Sequence, residues 1–251
     1  MQKSDTIIVD MRFRDIFYIF FLSACASTWH APSDFVYLPI KSGDFDIVTY
    51  QRLSDSVSPI HIYIEGDGHA FDKNGFPTTN PTPRGTFLRD LAARDMSPNV
   101  VYMARPCQYI MSPICTRSDW TDGRFSSRII DSMSDAVKSV SGTRPIILIG
   151  YSGGAMISGL IINQNPDLNV KKWITIAGVL NHSDWTEYFG DVPLNASQNM
   201  DILPQIPQLH YVAEHDKTVP PELSQRWTGR KNMIVIPDAT HGKFPKIEIE
   251  F

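Results

Sequence analysis

The segment that most constrains the fold is an aliphatic run leading into a glycine-rich turn centred on Ser152. Residues 146–149 read Ile-Ile-Leu-Ile, residues 150–154 read Gly-Tyr-Ser-Gly-Gly, and small and aliphatic residues follow. Such an aliphatic run is typical of a strand buried on both faces of a parallel sheet. A turn sharp enough to expose a serine hydroxyl crowds its neighbours, so glycines must flank it. The segment predicts a strand, a tight turn and a helix, with Ser152 as the candidate nucleophile.

Apolar runs alternate with helical patterns along the chain, which indicates βα units. The predicted strands lie at about 35–38, 46–51, 60–65, 100–104, 146–150, 173–177, 209–213 and 233–236. The predicted helices cover about 86–94, 126–140, 152–163 and 220–227. The first two strands are more polar than the others and suit antiparallel edge positions. Loops 66–85 and 178–208 are long enough to shape a site, and the second is long enough for a small cap.

A serine nucleophile needs a base, and the base needs a carboxylate that orients it. His241 lies in a loop after the last predicted strand and is the candidate base, whereas His210 lies inside a strand and suits the core. Asp216 follows the preceding strand and is the candidate acid. Glu214 and Asp184 remain alternative acids.

The order Ser152, Asp216, His241 and the Gly-x-Ser-x-Gly turn resemble the α/β-hydrolase superfamily over residues 35–245. Residues 216–220, Asp-x-x-Val-Pro, are similar to the acid loop of many members. The resemblance implies a three-layer α/β-hydrolase fold: a mostly parallel eight-stranded sheet, helices on both faces and a small cap. It further implies a serine hydrolase that cleaves a small-molecule carboxylic ester, thioester or amide through an acyl-enzyme, without a cofactor or metal.

The same resemblance points to two backbone donors for an oxyanion hole. Gly153 follows the serine at the start of a helix, where free N–H groups face the site. The other donor should come from the loop after the third strand, where residues 65–67 read Glu-Gly-Asp in place of the common His-Gly-x. The match assigns the N–H of Asp67. Two carboxylates here would weaken oxyanion binding unless they point away or pair, for example with Arg105 or Arg84.

The N-terminal residues have the layout of a secretory signal. A basic segment at 11–14 precedes the apolar run 16–22, which is too short to span a membrane, and small residues follow. Leu-Ser-Ala-Cys at 22–25 resembles a bacterial lipobox, which implies lipidation of Cys25 and a membrane anchor. We therefore expect a signal peptide over 1–25, a tether over 26–34 and a catalytic domain over 35–251. The alternative is a buried N-terminal strand, and both Met1 and Met11 remain candidate starts.

The remaining cysteines, Cys107 and Cys115, are candidates for a disulfide, since disulfides persist in exported proteins. Two free thiols are the alternative, and no ligand spacing nearby favours zinc. The location expected is the periplasm or the membrane surface of a bacterium. A net charge of −4 without a basic run gives no electrostatic footprint for nucleic acid.

Two other functions remain open at this stage. An acyltransferase would use the same acyl-enzyme with an alcohol or amine in place of water. A non-catalytic envelope lipoprotein would keep the scaffold without the reaction. Four aromatic residues suggest a partly apolar acyl pocket or, alternatively, core packing: Trp120, Trp185, Tyr188 and Phe189.

Overall fold

The aliphatic strands form the middle of an eight-stranded sheet in the computed structural model, which describes residues 29–245 and 247–251. In chain order the strands are β1 (Val36–Tyr37), β2 (Ile40–Ser42), β3 (Phe45–Ile47), β4 (Thr49–Leu53), β5 (Ile60–Ile64), β6 (Asn99–Met103), β7 (Ile146–Tyr151), β8 (Val170–Ile176), β9 (Gln208–Ala213) and β10 (Met233–Ile236). The helices are α1 (Phe87–Arg94), α2 (Ser127–Ser141), α3 (Gly153–Gln164), α4 (His182–Phe189) and α5 (Pro221–Thr228). The predicted signal segment and Cys25 lie outside the described residues.

The sheet has the order β1-β4-β6-β5-β7-β8-β9-β10. Neighbouring strands pair in parallel from β6 through β5, β7, β8 and β9 to β10. The pairs β1 with β4 and β4 with β6 are antiparallel. The mostly parallel eight-stranded sheet is therefore confirmed, and both antiparallel strands lie at one side of it, although only β1 of these two is an edge strand. The carboxyl ends of β5, β7 and β9 lie on one edge of the sheet, and their loops carry the candidate site residues.

The single strand predicted over 46–51 is wrong. β3 pairs with β2 in a separate two-stranded sheet, and β4 joins the main sheet. Ile47 and Val48 are both fully buried but belong to two different hydrophobic cores. Because Ile47, Val48 and Thr49 are all fully buried, no exposed polar residue marks the crossing in the sequence.

The sheet separates two hydrophobic cores, and alternate strand residues face each of them. Ile62 and Leu148 face the core covered by α2 and α3. Tyr63 and Ile149 face the opposite core, which α1 and the C-terminal segment cover. The predicted helices at these positions are confirmed to within a residue or two at each end.

Helix α4 lies in the connection predicted as a small cap, although no helix was expected there. The Asn181 side chain caps its start by accepting a hydrogen bond from the N–H of Asp184 at 2.9 Å. Gly190 ends it in the left-handed conformation, with φ of 68°. Among the described residues, no helix combines the length and apolar character needed to cross a membrane.

Candidate active site

Ser152 occupies the turn between β7 and α3, with a positive φ of 52°. A side chain at Gly154 would collide with the carbonyl oxygen of Ile64, and a Cβ at Gly150 would lie 2.5 Å from the carbonyl oxygen of Gly154. The two glycines flanking the serine are therefore required by close backbone approaches. The N–H of Ser152 donates to the carbonyl of Ile176 at 3.0 Å, which joins the turn to β8. The serine is thus held at the carboxyl edge of the sheet in a strained, well-supported turn.

His241 and Asp216 form a hydrogen-bonded series with Ser152. The Nε2 atom of His241 lies 3.0 Å from the Oγ atom of Ser152. The Nδ1 atom of His241 lies 2.9 Å from the Oδ2 atom of Asp216. These distances fit a hydroxyl that donates to Nε2 and a ring Nδ1–H that donates to the carboxylate. The structure therefore brings the three predicted residues together.

The Asp216 carboxylate is buried and fixed by its own loop. Its Oδ1 atom accepts hydrogen bonds from the N–H groups of Thr218 and Val219, both at 2.8 Å. The Asp216 side chain is 0% exposed, so its Oδ2 atom contacts the imidazole ring out of reach of solvent, although the ring itself is 22% exposed. A carboxylate held in this way can fix the orientation and tautomer of the histidine.

The alternative acids have other partners. Glu214 is exposed and accepts from the N–H of Asp238, and Asp184 accepts from the indole of Trp227 at 2.7 Å. His210 lies in the core between Thr175 and Gln208, and burial lowers its pKa to about 4.

Tyr151 supports the loop that carries His241. Its hydroxyl donates to the backbone carbonyl of His241 at 2.9 Å, and the two rings lie 5.4 Å apart. A two-residue turn between Thr240 and Lys243 closes the loop. The residue that precedes the serine therefore helps to position the histidine, which the motif alone does not reveal.

The loop after β5 packs directly on the serine turn. A Cβ at Gly66 would lie 3.0 Å from the Cβ of Ser152, and a side chain at Gly153 would collide with the Asp67 carboxylate. Among the described residues, neither the N–H of Asp67 nor that of Gly153 donates a hydrogen bond. Two unused backbone donors therefore stand beside the serine, as an oxyanion hole requires.

The side chain of Gln108 fixes this loop. Its amide donates to the carbonyl of Gly66 at 2.9 Å, and its oxygen accepts from the N–H of Arg105 at 3.0 Å. Gln108 lies between Cys107 and Tyr109, which both have positive φ values, of 69° and 64°. The predicted disulfide between Cys107 and Cys115 is present and ties this irregular segment down.

Arginine side chains compensate the Asp67 carboxylate. The Arg105 guanidinium donates to Oδ1 of Asp67, and Nη1 of Arg124 lies 3.5 Å from Oδ2. Burial raises the pKa of the Asp67 carboxyl, but Arg124 and Arg105 together lower it by more, so the net shift is downward. The expected pairing of this carboxylate with Arg105 is found, and among the described ion pairs the one expected with Arg84 is not. The sequence did not indicate the second partner, Arg124.

Glu65 is buried, and it accepts from the N–H of Gly66 at 2.9 Å and from the hydroxyl of Tyr102 at 2.8 Å. Burial raises the pKa of its carboxyl, and these hydrogen bonds offset the rise only in part. Proximity to Arg89 and Arg105 lowers it further, though not enough to reverse the direction. The Glu65 carboxyl is therefore held by Gly66 and Tyr102 rather than left without a partner beside the serine.

A cavity of about 730 Å³ opens onto Ser152 and His241. Of the four aromatics suggested from the sequence, Trp185 lines it. Trp120 is instead buried with its indole donating to Thr78 at 3.1 Å, and Tyr188 and Phe189 are partly exposed outside the cavity lining. Aromatic residues that the sequence did not single out also line the cavity: Phe71, Phe87 and Tyr151.

Comparison with solved structures shows the α/β-hydrolase fold, whereas the sequence matches no protein-family model and no curated protein. A serine hydrolase without a lid from Xanthomonas campestris has 17% identity and a TM-score of 0.52, over 84% of this chain and 87% of that one. Est1E from Butyrivibrio proteoclasticus has 14% identity and a TM-score of 0.53, over 83% and 90%. A serine hydrolase homologue from Coxiella burnetii has 15% identity and a TM-score of 0.54, over 86% and 92%.

Proposed function

We propose that this chain, built on the α/β-hydrolase fold, is a serine hydrolase that cleaves a small-molecule carboxylic ester, thioester or amide. The observation that carries the proposal is the series of hydrogen bonds from Asp216 through His241 to Ser152, beside two unused backbone donors. Structures of the same fold from Xanthomonas campestris and Coxiella burnetii bear the description serine hydrolase, which supports the same reaction class.

In the first step, Nε2 of His241 takes the hydroxyl proton of Ser152 as Oγ attacks the acyl carbon. The carbonyl electrons move to its oxygen, and the N–H groups of Gly153 and Asp67 bind the resulting oxyanion. Asp216 keeps the ring proton on Nδ1 and stabilises the imidazolium that forms. Because the donors are backbone groups, one at the serine turn and one in the packed loop after β5, they need little reorganisation during the reaction.

In the second step, the oxyanion collapses and the bond to the leaving group breaks. His241 returns its proton to the leaving alcohol, thiol or amine, and the acyl group remains on Ser152 as an ester. A water molecule then gives a proton to Nε2 and attacks the acyl carbon. A second collapse releases the acid and restores the Ser152 hydroxyl.

A panel of 4-nitrophenyl esters with acyl chains of increasing length tests this proposal. We expect hydrolysis by the unaltered protein and a loss of at least about 10³-fold in kcat for Ser152→Ala. Ser139→Ala, at an exposed position on α2, is the matched control and should keep full activity. A folded Ser152→Ala protein that keeps more than about a tenth of the activity contradicts the mechanism.

We further propose that the protein is exported and anchored to a bacterial membrane through lipid on Cys25. The disulfide between Cys107 and Cys115 supports export, because disulfides persist in oxidising compartments. Metabolic labelling with a radioactive fatty acid tests the anchor. We expect label in the unaltered protein and in Ser27→Ala but none in Cys25→Ala. Equal labelling of Cys25→Ala contradicts it.

A further inference from the structure

Arg124 is a buried guanidinium in the wall of the cavity that contains Ser152. Its side chain is only 6% exposed. Among the described residues, its Nε atom is buried without a partner, and its Nη1 atom approaches Oδ2 of Asp67 only at 3.5 Å. Arginine carries five N–H donors in a planar fork, and burying them without acceptors is costly. A ligand in the cavity is the natural source of the missing acceptors.

Arg124 shares its one carboxylate partner among the described residues with Arg105. Asp67 is shared with Arg105, which donates to its Oδ1 atom and also to the backbone carbonyl of Arg124 at 2.6 Å. Arg124 itself reaches Oδ2 only at 3.5 Å. One carboxylate thus faces two guanidinium groups: Arg105 holds it more closely, and Arg124 is the one that lines the cavity.

The other carboxyl groups in the cavity wall do not supply the missing partner. Glu65 accepts its hydrogen bonds from Gly66 and Tyr102. Asp191 is exposed, and among the described contacts it makes no ion pair with Arg124. The cavity wall therefore holds a buried guanidinium whose one ion pair, among the described residues, is the 3.5 Å approach to Asp67.

Aromatic rings surround the Arg124 guanidinium. The ring centres of Phe71, Phe125 and Trp185 lie 5.6, 5.8 and 5.7 Å from its central carbon. Phe71 and Trp185 also line the cavity. Water is largely displaced by these rings, so a charged hydrogen bond formed there is stronger than one at an open surface.

We propose that Arg124 determines specificity by binding an anionic oxygen group, a carboxylate or a phosphate, on the substrate. The planar fork of arginine suits both groups. The inference rests on the proposed hydrolase function for its reaction, since Ser152 and Arg124 line one cavity whose size suits a small molecule. The substrate class is then an acyl ester or amide with a negative charge away from the bond that is cleaved.

Turnover of two matched esters tests the inference. 4-Nitrophenyl hydrogen adipate and 4-nitrophenyl methyl adipate share an acyl chain and differ in one negative charge. We expect kcat/KM to favour the anionic ester at least about tenfold, and Arg124→Met to remove that preference. If Arg124→Met also disturbs Asp67 and lowers activity in general, kcat/KM falls for both esters alike, and the ratio between them does not change. A purely structural role for Arg124 would leave the ratio unchanged.

Arg84→Gln is the matched control. Arg84 lines the same cavity but is exposed, so this variant removes the same formal charge from the cavity without removing the buried fork. We expect it to change the ratio by less than about twofold, because exposed charges are screened. Equal effects of the two variants on the kcat/KM ratio would contradict a direct contact between Arg124 and the anionic group.

Binding to Ser152→Ala by calorimetry separates this inference from the proposed function, since no turnover is needed. Monomethyl adipate should bind at least about tenfold more tightly than dimethyl adipate. Butyl phosphate in place of the monoester shows which anionic group is preferred, and tighter binding of either anion supports the inference. Equal affinity for the monoester and the diester overturns it, even if esters are hydrolysed. Anion preference without any ester hydrolysis would count against the hydrolase function alone.

Discussion

Replacing Asp216 by asparagine changes the tautomer of His241, while the side chain at position 216 keeps nearly the same shape. The Oδ1 atom of Asp216 accepts two backbone N–H groups, from Thr218 and Val219, so the asparagine oxygen must stay at that position. The amide NH₂ then faces Nδ1 of His241, 2.9 Å away in the unaltered protein. Two donors cannot face each other, so the ring proton moves to Nε2. In that tautomer, Nε2 can no longer accept the proton of Ser152.

The expected size of the effect follows from this geometry. The wrong tautomer lowers kcat by about 10⁴, or about 5.5 kcal/mol in the activation barrier. The two backbone hydrogen bonds are kept, each worth about 1 kcal/mol, so the free energy of unfolding should change by less than about 2 kcal/mol. Ester hydrolysis measured together with thermal unfolding separates the two effects.

Glu214→Gln is the matched control, because Glu214 follows the same strand, β9, but is exposed and points to Asp238. It should leave kcat within about twofold of the unaltered protein. The reasoning is refuted if Asp216→Asn keeps more than about a tenth of the activity, or if Glu214→Gln loses as much.

Three further predictions concern stability. Replacing Cys107 and Cys115 by serine should lower the free energy of unfolding by about 2.5 kcal/mol, because the disulfide closes a loop across 8 positions. An unchanged melting temperature would contradict this prediction. Burial lowers the pKa of His210 to about 4, so the stability that its neutral form contributes is present above about pH 6.5 and is lost as the pH falls toward 4. Urea unfolding should show a loss of about 2 kcal/mol between pH 7 and pH 5 that His210→Gln lacks, and an equal loss in the variant would disprove the assignment. Gly154→Ala should destabilise the protein by about 3 kcal/mol, because the added methyl group collides with the β5 backbone. Gly85→Ala is the control and should be tolerated, because a methyl group at Gly85 faces open space. A Gly154→Ala protein that is soluble and fully stable would contradict the prediction.

Local patterns explain why the sequence predicts the main sheet and the placement of Ser152. The run 146–149 and its flanking glycines form a strand and a turn from neighbouring residues alone. Asp216 and His241 follow consecutive strands, and parallel strands bring their carboxyl ends to one edge. The chain order of these three residues therefore sufficed to predict that they meet.

Contacts between distant loops could not be predicted in this way. Gln108 reaches Gly66 across 42 positions, from a segment whose positive φ values no sequence period reveals. Arg124 reaches Asp67 from an irregular loop that precedes α2. The one available signal was the need to neutralise Asp67, which indicated an arginine but did not select Arg124.

Helix α4 was missed for a different reason. It has only 8 residues and a weak apolar face, and its two ends rest on Asn181 and Gly190. An asparagine cap and a glycine eight residues after the helix begins are helix signals, but they are brief and common in loops. The split between β3 and β4 was equally hidden, because Ile47, Val48 and Thr49 are all buried across it and none of them is a turn-forming residue.

Reaction with a fluorophosphonate probe tests the central claim most directly. The probe forms a covalent bond only with a serine that has been activated as a nucleophile, and peptide mass spectrometry locates the bond. We expect one adduct on Ser152 in the unaltered protein and at least a hundredfold slower labelling, about 3 kcal/mol, in His241→Ala. A folded protein that is not labelled, or that is labelled at another residue while Ser152 stays free, would contradict the assignment of Ser152 as the nucleophile.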